Sequence, residues 1–230
     1  MLRKCISVFF VIALALVFFH GNLYAKDPIF SDGFESGNLN AWDGKKTDLG
    51  DLAVRSTAAL EGSRGMRVLI DDNTPIYVID DSPTGENSYQ AKFRFDPNSI
   101  TMANGDYHTI FLGLDQGTSV VAALRVEFRK VASGYQLRAG ARKDDLTWKN
   151  TRWFAITDQS HEVEVEWDAS QSEGVDNGQL TFSIDSIQKA DITSIDNDTF
   201  RIDRVRLGAV SGIDTTTRGV YFFDSFESFD

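Results

Sequence analysis

The chain has almost no cysteine. Its one thiol among 230 residues, Cys5, falls inside an apolar leader. The rest of the chain therefore has no disulfide, no thiol nucleophile and no Cys–His zinc site. Proline is scarce, and Pro28, Pro75, Pro83 and Pro97 fall at expected strand starts or in loops. Of the few histidines, His108 and His161 flank no Ser or Cys motif. Gly-x-Ser-x-Gly is absent, as is a glycine loop of the kind that cradles phosphate. No segment keeps a sustained helical period, and no second apolar run is long enough to cross a membrane. Basic residues are outnumbered, 23 against 34 acidic ones. Such a balance argues against general nucleic-acid binding, which needs a basic footprint.

The start of the chain reads as a targeting segment. Arg3 and Lys4 precede the apolar run Cys5–Phe19, and Leu23-Tyr24-Ala25 ends in a small residue suited to signal peptidase. A signal peptide over 1–25 is expected, with the mature chain starting near Lys26 and exported to the periplasm or beyond. Cleavage removes two basic residues and no acidic one, so the formal net charge of −11 becomes more negative by two. No Pro-, Gly- or Ser-rich linker interrupts 26–230, which is expected to be one domain and a monomer.

The two ends of that domain nearly repeat each other. Ile29-Phe30-Ser31-Asp32-Gly33-Phe34-Glu35-Ser36 is matched by Phe222-Phe223-Asp224-Ser225-Phe226-Glu227-Ser228. Both are short apolar runs followed by turn residues, and pairing them side by side would protect two sheet edges. If they are neighbours, Asp32, Glu35, Asp224 and Glu227 could converge on one structural Ca²⁺, which takes six to eight oxygen ligands. Trp42, after the turn Gly37–Ala41, is expected to tuck against the sheet.

Between the ends, strand follows strand. Tyr89, Ala91, Phe93 and Phe95 alternate with Gln90, Lys92 and Arg94, and Ile110, Leu112 and Leu114 read as one apolar face. Val120, Ala122, Leu124, Val126 and Phe128 continue, then Tyr135, Leu137, Ala139 and Ala141, then Val163, Val165 and Trp167, then Leu180, Phe182 and Ile184. Turn-formers such as Asn104-Gly105-Asp106, Ser133-Gly134 and Asp176-Asn177-Gly178 separate them. One apolar and one polar side per strand predicts an all-β fold of two antiparallel sheets packed face to face.

The stretches HEVEVEWDAS (161–170) and NGQLTFSIDSIQKADI (177–192) resemble the strand and hairpin of concanavalin A-like, laminin-G-like jelly rolls. RIDRVRLGAVSGIDTTTRGVYFFDSFES (201–228) resembles the ending of those folds, and DGFESGNLNAW (32–42) their opening. The similarity points to secreted bacterial modules. It implies a jelly-roll fold and leaves function open, because that fold hosts lectins, glycosidases, lyases and spacers.

Three sets of residues could carry chemistry. Glu162, Glu164 and Glu166 alternate on one strand, roughly 6.6–6.8 Å apart. The run is similar to the Glu-x-Asp-x-Glu strand of laminarinase-type jelly-roll glycosidases but has Glu164 where that motif has Asp. Retaining glycosidases hold two carboxyl groups about 5–5.5 Å apart. The alternative is a solvated acidic face paired with Lys and Arg across strands. The second set is Lys92, Arg94, Arg125, Arg129, Arg138 and Arg142, on the polar sides of alternating strands. They would either form a charge ladder with the acidic strand or cluster to receive the carboxylates or sulfates of an acidic polysaccharide. The third is Trp148 and Trp153, in a Lys/Thr/Arg-rich stretch, as sugar platforms or core. Tyr107 and His108 are adjacent, so a strand turns them to opposite faces, and His161 reads as a partly buried structural residue.

These features favour a secreted, non-catalytic module binding a glycan or a cell-surface partner. Arg125, Arg138, Arg142, Trp148 and Trp153 would be the ligand residues. Two alternatives stand beside it: a polysaccharide hydrolase or lyase using Glu162, Glu164 and Glu166, and a purely structural module.

Overall fold

A computed structural model describes residues 28–230. The expected signal segment and the cut near Lys26 lie outside these residues. The first strands are β1 (Phe30–Asp32), β2 (Gly44–Lys46), β3 (Leu52–Arg55), β4 (Gly65–Ile70), β5 (Ile76–Asp80), β6 (Ser88–Asp96), β7 (Tyr107–Asp115) and β8 (Val121–Val131). They continue as β9 (Gly134–Arg142), β10 (Trp148–Asn150), β11 (Phe154–Ile156), β12 (His161–Asp168), β13 (Gly178–Ile184), β14 (Ile187–Ile195), β15 (Arg204–Ser211) and β16 (Gly219–Phe229). Two 3-10 turns, Asp48–Gly50 and Ser56–Ala58, are the only helical elements among the described residues.

The strands form two antiparallel eight-stranded sheets, a β-sandwich as the alternating pattern predicts. The first sheet runs β14-β13-β12-β6-β16-β4-β3, with β1 also on β16. The second runs β10-β9-β8-β7-β15-β5-β2, with β11 also on β9. The two ends of the domain do pair, Phe30 opposite Ser228 and Asp32 opposite Phe226. Trp42 folds onto them, its ring 4.8 Å from Phe30 and 5.1 Å from Phe226, and its indole N–H donates to Asp32 Oδ2 at 2.9 Å.

Period-2 alternation places the core. Val163, Val165 and Trp167 of β12 are fully buried, as are Ala91, Phe93 and Phe95 of β6 and Leu124, Val126 and Phe128 of β8. Burying each large side chain stabilises by about 1.5–3 kcal/mol before entropy is counted. Phe95 joins the sheets, its ring 5.0 Å from Phe128 and 5.4 Å from Tyr221.

Bulges in β7 and β16 break the alternation where the expected faces are concerned. In β7 the register against β8 shifts between Thr109 and Phe111, so Ile110 and Phe111 are both buried while Leu112 turns outward. The expected single face of Ile110, Leu112 and Leu114 is corrected at Leu112 only: one extra residue inverts the parity, and a second shift between Gly113 and Leu114 returns Leu114 to the core. Val120, expected inward, is exposed ahead of β8. In β16 the pairing with β6 jumps from Asp224↔Arg94 to Glu227↔Lys92, with Ser225 at φ 48. The bulge lets Tyr221 and Phe223 face inward on one side of it and Phe226 and Ser228 on the other.

Candidate functional site

The outward face of the second sheet gathers most of the expected ligand residues. On β8 and β9 the core takes Leu124, Val126, Phe128, Leu137, Ala139 and Ala141, which leaves Arg125, Glu127, Arg129, Arg138 and Arg142 on the opposite side. The register sets Arg129 opposite Gln136, Glu127 opposite Arg138 and Arg125 opposite Gly140. Short β10 adds Trp148 beside Arg142 and Asn150 beside Gly140. Trp153 follows in the link to β11, and Tyr107 of β7 stands opposite Arg129.

These groups form one basic and aromatic layer. The guanidinium of Arg125 lies 4.0 Å from the Trp148 ring centre and that of Arg142 lies 5.0 Å from it. Arg129 and Arg138 lie 4.2 and 4.4 Å from Trp153. Tyr107 meets Trp153 edge-on at 6.1 Å. Each such contact contributes about 0.5–1 kcal/mol at an exposed site. Both tryptophans are half-buried, so neither belongs to the core.

One acidic residue lies beneath this layer. Glu127 is only 2% exposed although its side chain is on the outward parity. Arg125 Nη1 approaches its Oε1 at 3.2 Å, and Arg138 Nε donates to Oε2 at 2.5 Å. Arg125 also donates to Asn150 Oδ1 at 3.0 Å, and Arg129 Nε to Gln136 Oε1 at 2.7 Å. Among the described residues the terminal nitrogens of Arg129 and Arg138 have no hydrogen-bond acceptor, and Arg142 has none at all. Burial pulls the Arg125 guanidinium below its ordinary pKa while Glu127 opposes the shift; burial and neighbouring Arg138 lower that of Arg129. Free, planar, partly desolvated guanidiniums bind carboxylate, sulfate or phosphate oxygens bidentately.

The acidic strand lies on the other sheet. Glu162, Glu164 and Glu166 of β12 stand opposite Arg94, Lys92 and Gln90 of β6. Lys92 Nζ is 3.4 Å from Glu162, Gln90 donates to Glu164, and Glu166 also has a partner. Here the charge ladder is the observed arrangement, whereas Arg125, Arg129, Arg138 and Arg142 are clustered on the opposite face of the molecule. Near the ladder a cleft of about 430 Å³ opens over the β16 bulge, which Glu162 shares with Glu61, Lys92, Arg94 and Glu227.

The four end carboxylates turn to different loops. Asp32 accepts from the Phe34 amide and the Trp42 indole. Glu35 accepts from the Ser63 and Arg64 amides and the Ser63 hydroxyl, which hold it below the usual carboxylate range. Asp224, fully buried, accepts from the amides of Leu60, Glu61 and Ser225 at 2.8–2.9 Å. Glu227 lines the bulge cleft. Backbone amides, the Trp42 indole and the Ser63 hydroxyl thus donate to both oxygens of Asp32, Glu35 and Asp224. Asp144, Asp196 and Asp198 do bring carboxylate oxygens within 4.8 Å of one another, and burial and mutual repulsion raise the pKa values of Asp196 and Asp198.

His108 and His161 each have partners within the fold. His161 bridges Asp185 at 2.7 Å and the Thr157 hydroxyl at 2.8 Å. His108 is buried against Tyr221 while Tyr107 is exposed, on opposite faces as expected. Glu127 and Tyr107 were not singled out from sequence as parts of the arginine face. The available signal was Glu127's place between Arg125 and Arg129 on the outward parity.

No family model and no curated protein matches the sequence. Solved structures do match in fold. An alginate lyase, Aly36B, aligns over 91% of this chain and 94% of its own, with a TM-score of 0.58 at 10% identity. Domain 4 of AbnA, a GH43 extracellular arabinanase from Geobacillus stearothermophilus solved with arabinotriose, aligns over 89% and 93%, with a TM-score of 0.56 at 14% identity. The receptor binding domain of botulinum neurotoxin mosaic serotype C/D aligns over 88% of this chain and 47% of its own, with a TM-score of 0.54 at 10% identity. At such identities the likeness is one of fold alone.

Proposed function

We propose that the protein is an exported, non-catalytic module that binds an acidic glycan on the outward face of its second sheet. The carrying observation is the set Arg125, Arg129, Arg138 and Arg142 packed with Trp148 and Trp153, with free guanidinium edges on Arg129, Arg138 and Arg142, on a chain of net charge −11. An acidic protein gains no general solubility by concentrating arginine on one face. Such a face suits a ligand that carries carboxylate or sulfate together with apolar ring surface. Among the neighbours in fold, one is an alginate lyase and another was solved with a neutral oligosaccharide, arabinotriose. The charge on this chain's face favours the anionic class.

The test is affinity electrophoresis and calorimetry of the protein with polygalacturonate, alginate and neutral arabinan. Binding to the acidic polymers, weakened about tenfold by Trp153→Ala and by Arg129→Gln, is the expected outcome. Equal affinity for arabinan would overturn the reading. Export and a monomeric state belong to the same proposal, and both rest on the leader and the composition. A Ca²⁺ ion at the chain ends is a separate proposal, and it would have to share the carboxylates of Asp32, Glu35 and Asp224 with the donors they now hold.

A second reading, glycan cleavage, has one observation behind it. Glu162 opens into the bulge cleft together with Glu61 and Glu227, so more than one carboxylate faces the same space. Against it, Lys92 and the Ser186 hydroxyl already engage Glu162.

A further inference from the structure

The four arginines are arranged with a period. In the β8–β9 register, outward positions recur every second residue, and each row pairs one residue from either strand. Arg129 of β8 occupies the first row and Arg138 of β9 the next, opposite Glu127. Arg125 of β8 takes the third row, opposite Gly140, and Arg142 of β9 lies one outward position beyond Gly140. Each row holds one arginine, and the arginines alternate between the two strands. Their partners across each row add no competing cation: Gln136, the buried Glu127 and Gly140.

By strand rise each row advances roughly 6.6–6.8 Å, so the zigzag runs roughly 20 Å from Arg129 to Arg142. The two aromatic platforms follow the same axis. Trp153 serves the Arg129 and Arg138 rows, and Trp148 serves the Arg125 and Arg142 rows. Glu127 bonds Arg125 and Arg138, one arginine from each platform, and so ties the two halves together.

From this we infer that the ligand is a linear polyanion, a polyuronate-type chain bearing a charge on every unit, laid along the strands with its internal segments bound and its ends unrecognised. The inference rests on the acidic-glycan reading and adds length and direction to it. A site that captured one terminal acidic sugar would bring its cations together around a single pocket. Here the backbone positions that carry them recur at a constant step along the strands. Arg129, Arg138 and Arg142, whose terminal nitrogens have no acceptor among the described residues, each add one contact along the strands, so affinity should accumulate with ligand length.

The test measures calorimetric affinity of the protein for di-, tetra- and octagalacturonate, with single-stranded DNA of similar length as a second polyanion. Affinity is expected to rise roughly tenfold from dimer to octamer, as further ion pairs form along the strands. Arg129→Gln and Arg142→Gln, at the two ends of the zigzag, should each flatten that rise, with circular dichroism confirming the fold. Dimer and octamer binding equally well would overturn the linear inference and leave the acidic-glycan reading standing. Single-stranded DNA bound as tightly as octagalacturonate would overturn the glycan class of the polymer. Failure of every galacturonate to bind would remove both the reading and the inference.

Discussion

Glu127 and Arg138 stand directly opposite each other on β8 and β9, and the guanidinium of Arg138 covers the carboxylate almost completely. Arg125 closes the other side. A buried anion held by two cations leaves both badly placed if it is removed. Breaking a buried pair costs about 3–5 kcal/mol, and the partial exposure of these arginines reduces that to about 1–3 kcal/mol. Glu127→Ala is therefore expected to lower unfolding free energy by about that much in urea titration. A variant as stable as wild type would mean that the two guanidiniums need no anchor.

Much of this arrangement was legible in the sequence. Period-2 alternation correctly turned Arg125, Arg129, Arg138 and Arg142 outward and Val163, Val165 and Trp167 inward. It could not say which strands share a sheet, because pairing partners are set by long-range packing. Lys92 and Arg94 therefore read the same as the four arginines, although they lie on the other sheet beside Glu162. The near-repeat of the chain ends correctly placed the first and last strands side by side, and their register sets Phe30 opposite Ser228. The bulge at Ser225 was not visible, and with it went the positions of Asp224 and Glu227. One inserted residue re-aims every side chain beyond it.

Asp224 gives a direct test of calcium at the chain ends. Its two oxygens hold three amide hydrogens from the Leu60–Glu61 turn and Ser225, and it is fully buried. Asp224→Ala would strand those donors, at a cost of about 2–4 kcal/mol, read as a lower thermal midpoint. If amides alone fill the carboxylates, EDTA and millimolar Ca²⁺ give the same midpoint for wild type and for Asp32→Ala/Asp224→Ala. A midpoint that climbs with Ca²⁺ in wild type alone would establish the ion by mass action.

The acidic strand is expected to be structural. Glu162 pairs with half-exposed Lys92, an interaction worth about 0.2–1 kcal/mol. Glu162→Gln and Glu166→Gln should each change stability by no more than that and leave binding to acidic glycans unaltered. Reducing-sugar release from any polysaccharide by the wild-type protein, lost in either variant, would move the chain into the enzyme class.

His108 should give the protein a pH-dependent loss of stability on the acid side. Its ring is 1% exposed, stacked on Tyr221 at 5.7 Å and edge-on to Phe128. Nε2 meets the Tyr221 hydroxyl at 3.2 Å, while Nδ1 has no partner. Burial dominates, with Asp214 the opposing charge, and the pKa is pushed down from 6.5 to about 4. The sign follows from proton counting. Between those two values the unfolded chain binds a proton that the folded chain refuses, so stability falls as pH drops from 6.5 to about 4. The total loss is about 3 kcal/mol, and below that window both states are protonated and the loss stops growing. Buried Asp80 and Asp224 have raised pKa values and act in the opposite sense, so the wild-type curve alone mixes the effects. His108→Phe keeps the ring between Tyr221 and Phe128 and removes this titration together with the Tyr221 hydrogen bond, whose loss shifts the curve without changing its slope in this window. Urea unfolding of both proteins across the window should show the variant gaining on wild type by about 3 kcal/mol as pH falls. Parallel curves would mean that His108 takes up its proton in the folded state as readily as in the unfolded one.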